Sequence, residues 1–152
     1  MKPLFVLIIS FLISLFIFQI NYGNYDFQMA GRIAMTLMLL FTSIGHFKFV
    51  KGMTMMVPKI IPNKKLMVYL TGALEITAAV CLLLNTTYVI ASWFLIVFFI
   101  VLLPANINAA VKHIDFENGT YNGKGKTYLW FRIPLQLFFI IWVYFSSIYI
   151  CC

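Results

Sequence analysis

Residues 88–110 read YVIASWFLIVFFIVLLPANINAA, a run without a single charged side chain. A helix of this length rises roughly 34 Å at about 1.5 Å per residue. That is enough to cross a hydrocarbon core about 30 Å thick. A helix is also what satisfies such a segment's own backbone in lipid. The run has counterparts on both sides, at residues 4–20, 29–50, 66–84 and 128–150. Of the 152 residues, 63% are hydrophobic and only 10% charged, with a mean hydropathy of +0.98. A soluble domain of this size cannot hide so much apolar surface. The sequence therefore predicts an all-α integral membrane protein, and excludes soluble enzymes and zinc-finger or helix-turn-helix readers.

The connections set the expected topology. Asn85-Thr86-Thr87 leaves room only for a helical hairpin, and Asn118-Gly119 and Asn122-Gly123 are turn formers before the last run. The net charge of +7 is concentrated in two connections. Lys48, Lys51, Lys59, Lys64 and Lys65 follow the second run, and Lys112, Lys124 and Lys126 follow the fourth. The positive-inside rule makes both connections cytoplasmic, with the amino terminus inside and the carboxyl terminus outside. This accounts for the basic charge without nucleic acid as a partner. Asn21-Tyr22-Gly23-Asn24-Tyr25 offers no small-x-small cleavage site, so the first run reads as an uncleaved anchor helix. The expected division is an anchor and connection over residues 1–28 and a membrane domain over 29–152.

Polar residues inside the runs carry the functional reading, because an ionisable group in a span is costly and faces the bundle interior. His46, Glu75 and Arg132 stand out, joined by the neutral Asn106, Asn108 and Gln136. Counting from the lysine-rich face, His46, Asn106 and Arg132 lie roughly 6 Å deep, and Glu75 and Gln136 roughly 12–14 Å. Arg132 and Gln136, four residues apart, share a face. So do Thr71, Glu75 and Ala79, flanked by Gly72 and Ala78, a small-residue surface that admits close helix approach. Thr42, Ser43 and His46 form a face of the second run. The expectation is a network of His46, Glu75, Asn106, Arg132 and Gln136 that binds a ligand or exchanges a proton. Each has a structural alternative: Arg132 can snorkel to headgroups, and His46 and the asparagines can act as interhelical glue.

The stretch from Met53 through Met56, Pro58 and Pro62 is too apolar for a free loop and too proline-broken for a span. It reads either as an interfacial anchor or as a gate over the polar layer, with Met56, Pro58 and Pro62 as the gate residues. Cys81, Cys151 and Cys152 include no C-x-x-C, which leaves no dithiol motif and no zinc spacing. No metal site is expected.

Five short motifs occur in order: Gly45-His46-Phe47, Met56-Val57-Pro58 through Pro62, Gly72 with Glu75, Pro104-Ala105-Asn106, and Arg132-Ile133-Pro134-Leu135-Gln136. Together, over residues 32–144, the chain resembles the DoxX-like family of small bacterial membrane proteins. The resemblance implies a four-helix transmembrane bundle core, with residues 4–20 as an additional N-terminal transmembrane helix, and a redox-associated role. One intramembrane histidine cannot supply two axial haem ligands, so independent catalysis is not expected. The expected function is an accessory subunit that binds a lipophilic small molecule, with quinone as the cofactor candidate. The expected partners are membrane lipid, a membrane or redox partner protein, and further copies of the chain. A small-molecule transporter and a non-catalytic membrane scaffold are the alternatives.

Overall fold

The structure is a computed structural model that describes residues 2–149 apart from 59, 116 and 124. Lys59, Lys124, Cys151 and Cys152, named above, lie outside the described residues. The elements are α1 (Lys2–Tyr22), α2 (Phe27–Lys48), α3 (Val50–Met56), α4 (Lys64–Leu83), α5 (Tyr88–Val111) and α6 (Lys126–Ser147). All but α3 contain a stretch long and apolar enough to span a membrane. The protein is an all-α membrane protein.

Local chemistry marks the helix ends. Asp26 caps α2 by accepting the Met29 N–H at 2.9 Å, satisfying one of the free amides of the first turn. Pro58 and Pro62 interrupt the chain between α3 and α4, where proline cannot supply helical N–H groups. Thr87 closes the α4–α5 hairpin by donating to the Cys81 carbonyl at 2.9 Å. Gly125 precedes α6 at φ +59°, where an added Cβ would strike the His113 ring, so glycine is required there.

Helices α2, α4, α5 and α6 close into a ring: α2 packs on α4, α4 on α5, α5 on α6, and α6 back on α2. Helix α1 lies outside this ring against α2, yet it sends Leu7 fully into the core, and Phe11 meets Trp142 edge-on at 4.9 Å. The core is uneven along the bundle. Met35, Leu39, Ala79, Leu82, Leu95 and Val143 are buried together, and all lie in the half away from the lysine-rich connections. Thr36 ties that half together by donating to the Ala79 carbonyl at 3.1 Å. The other half encloses a cavity.

The amino-terminal end of α1 and the α5–α6 connection meet on the lysine-rich face, where Lys2 Nζ stands 2.8 Å from Glu117 Oε1. The second helix stops at Lys48, and the short helix α3 tucks against α4 and α5. Met56 is buried with Ala109 and Ile114, so this segment folds into the bundle mouth as well as lying at its edge.

Candidate functional site

The cavity in the lysine-side half has a volume of about 680 Å³, and its wall includes His46, Glu75, Asn106, Arg132 and Gln136. The structure thus brings all five sequence-predicted residues to one space. Their hydrogen bonds among the described residues fall into two groups on opposite sides of the helix ring.

The first group joins α2 to α4. His46 Nε2 lies 3.3 Å from Glu75 Oε1, with both side chains largely buried. His46 Nδ1 lies 3.1 Å from the Thr71 hydroxyl, and that hydroxyl donates to the Val68 carbonyl at 2.9 Å. Either the Thr71 oxygen accepts from Nδ1–H or its hydroxyl donates to Nδ1, according to the imidazole tautomer. In both arrangements His46 is held between Thr71 on one ring nitrogen and Glu75 on the other. The Thr42 hydroxyl stands 3.1 Å from Glu75 Oε2 and 3.0 Å from the Leu39 carbonyl.

Gly72 makes this group possible. A Cβ at that position would lie 2.9 Å from the His46 Cβ and 3.3 Å from the Phe47 ring. The missing side chain therefore lets α2 approach α4 at the depth of the His46–Glu75 pair.

The second group joins α5 to α6. Arg132 Nη1 donates to Asn106 Oδ1 at 2.7 Å, and Asn106 Nδ2 donates to Gln136 Oε1 at 3.1 Å. Gln136 Nε2 donates in turn to the Phe99 carbonyl. Arg132 thus points into the bundle. Pro104 and Pro134 lie inside these two helices, and each removes an N–H from the helical ladder beside the polar chain. Asn108 serves a different end: its Nδ2 donates to the Met56 carbonyl at 2.6 Å and pins the end of α3.

Met56 and Pro58 form part of the cavity wall. Pro62 is exposed and absent from the wall, because the chain has already turned away toward α4. Lys2 and Glu117 also reach the cavity rim. Among the described residues, no group of three or more His, Cys, Asp or Glu side chains gathers as metal ligands.

Sequence reasoning passed over Arg32. It lies in α2 and is only 9% exposed, and its guanidinium carbon stands 4.3 Å over the Tyr88 ring. The signal was available, since Arg32 is an ionisable residue three positions inside the run 29–50.

Comparison with known proteins finds no match among curated proteins and none among solved structures. A family model matches residues 35–147, which takes in all of α3, α4, α5 and α6 and most of α2. The chain therefore belongs to the family described as a domain of unknown function, DUF8561.

Proposed function

We propose that the chain is a membrane protein that binds a lipophilic small molecule with a hydrogen-bonding head, quinone being the first candidate. The observation that carries this reading is the buried His46–Glu75 contact at 3.3 Å, which opens onto an otherwise mainly apolar cavity of about 680 Å³. Pockets of a few hundred to a thousand cubic ångströms with a few convergent polar groups are typical small-molecule sites. A carbonyl or hydroxyl head would lie between the His46–Glu75 pair and the Arg132–Asn106–Gln136 chain. Glu75 and His46 would exchange a proton with it, while Arg132 and Gln136 would orient it. The DoxX-like motif order supports an accessory role beside a redox partner. Charge distribution supports a cytoplasmic lysine-rich face, and the DoxX-like motif order supports a bacterial plasma membrane.

The test is gentle purification with native lipid, followed by an absorption spectrum and mass spectrometry of extracted lipophiles. The expected result is stoichiometric quinone, reduced at least tenfold by Glu75→Gln or His46→Ala. An extract containing only bulk lipid would overturn the quinone assignment.

A transport role is the second reading, favoured by the cover over the cavity mouth: Met56 and Pro58 from one side, and the Lys2–Glu117 contact from the other. It is tested by substrate flux into proteoliposomes that is sensitive to Glu75→Gln.

A further inference from the structure

Arg32 takes no part in the cavity, and its surroundings pose a separate chemical problem. Its Nε and Nη1 atoms are buried without a hydrogen-bond partner. The Tyr88 ring lies under the guanidinium carbon, and a cation–π contact satisfies a face of the group while leaving its in-plane N–H bonds unmet. Arginine cannot relieve this by giving up its proton. A buried cation is maintained when an anion or a set of acceptors completes it.

The chain has four acidic side chains, and each is engaged away from Arg32 among the described residues. Glu75 faces His46, and Glu117 faces Lys2. Asp115 holds the α5–α6 connection, and Asp26 caps α2. The neighbouring helix presents a second unmet group: Gln19 Oε1 on α1 is also buried without a partner. Helices α1 and α2 pack together and are joined by residues 23–26. Gln19 lies three residues before the end of α1, and Arg32 five after the start of α2. Both are therefore about 5–8 Å below the turn, near the boundary between headgroups and hydrocarbon. Donors without an acceptor and an acceptor without a donor thus occur at one level of adjacent helices.

We infer that Arg32 binds a phosphate oxyanion at the membrane boundary opposite the lysine-rich face, with Gln19 accepting a hydroxyl from the same group. Guanidinium and phosphate form strong charge-assisted hydrogen bonds, and phosphate is the anion found at headgroup level. A glycerol phosphate headgroup supplies both the oxyanion and the hydroxyl. The same chemistry is available from a lipid or from free phosphate. Arg32 and Gln19 stand apart from the cavity wall and lie before residue 35, outside the matched family region.

The experiment uses the full chain with 15N-labelled arginine, measuring 15N–31P dipolar dephasing at the guanidinium by solid-state NMR. Arg32 and Arg132 are the chain's two arginines, so Arg132→Lys leaves the Arg32 signal alone. If that variant fails to assemble, the wild-type signal that Arg32→Lys removes gives the same assignment. One sample is in phosphatidylglycerol bilayers without added phosphate, and a second is in maltoside detergent with inorganic phosphate. Dephasing in the bilayer sample is the expected result and assigns the oxyanion to lipid. Dephasing in the detergent sample alone upholds the oxyanion site and assigns it to free phosphate. No dephasing at Arg32 in either sample overturns the proposal.

Discussion

Gly72 and His46 meet so closely that a Cβ on residue 72 would lie 2.9 Å from that of His46. The neighbouring helix, and not a flexible side-chain tip, would have to move. Gly72→Ala is expected to destabilise by about 1–3 kcal/mol through overpacking, visible as a lower Tm in detergent. It should also widen the His46–Glu75 contact and weaken ligand retention. Unchanged stability and retention would show that α2 and α4 yield freely at this depth.

Glu75→Gln separates proton exchange from folding. The introduced amide offers His46 Nε2 both a donor and an acceptor, so the helix contact survives. Calorimetry of a short-chain quinone in buffers of different ionisation enthalpy should show proton exchange on binding to the wild type. The heat should become independent of buffer in the variant. Thr71→Val removes the partner of His46 Nδ1 instead, and should cost about 1 kcal/mol.

Asn106 bridges Arg132 and Gln136, so its loss takes a partner from each. Asn106→Leu leaves Gln136 Oε1 without the Asn106 donor and removes one acceptor from Arg132. A buried polar group left unmet costs about 1–3 kcal/mol. The variant should denature at markedly lower temperature than Asn108→Leu, whose own bond runs to the Met56 carbonyl and pins α3. Comparable losses would mean that the α5–α6 chain contributes no more than that single anchor.

Asp115 governs the acid response of the α5–α6 connection. The Asn118 side-chain amide holds its carboxyl below the usual aspartate range, helped by the Asn118 and Glu117 backbone N–H groups and opposed by desolvation. A lowered folded-state value means that the stabilisation is fully present above the unfolded value, about 3.9. It is lost as pH falls through the folded value. The amides of Gly119 and Thr120, which bond to the Asp115 carbonyl, should stay protected from exchange at neutral pH and lose protection only below about pH 4. Asn118→Ala should move that loss toward higher pH.

Lys2 and Glu117 form an exposed pair, so their contact is weak. Glu117→Gln should change stability by less than about 1 kcal/mol. If the pair restrains entry to the cavity, the same substitution should speed ligand exchange at low salt and leave it unchanged at high salt, as measured by stopped-flow fluorescence.

The spans were legible because lipid imposes a length and a polarity on each. Residues 88–110, read as a span, form α5 over Tyr88–Val111. The small-residue face around Gly72 pointed to close packing, but not to α2 as the partner. Helix order in the ring depends on side-chain fit between distant segments, and periodicity within a segment does not encode it. Likewise, the sequence grouped His46, Glu75, Arg132 and Gln136 without showing that their hydrogen bonds divide between α2–α4 and α5–α6. Helix α3 escaped notice because seven residues are too few for a periodic signal. Pro62 was read with Met56 and Pro58, although the chain turns away before reaching it. Arg32 was missed because its charge sits among apolar neighbours near the end of a run.

The bundle's uneven filling has an evolutionary consequence. Leu39, Leu82, Leu95 and Val143 anchor the fold at one end, while the cavity occupies the other. Under the proposed binding role, substitutions among apolar cavity-lining side chains such as Met53 and Leu70 can alter ligand choice while leaving the Gly72, Glu75 and Asn106 contacts in place. A lineage built on this plan would be free to exchange one cargo for another without first acquiring a sturdier frame.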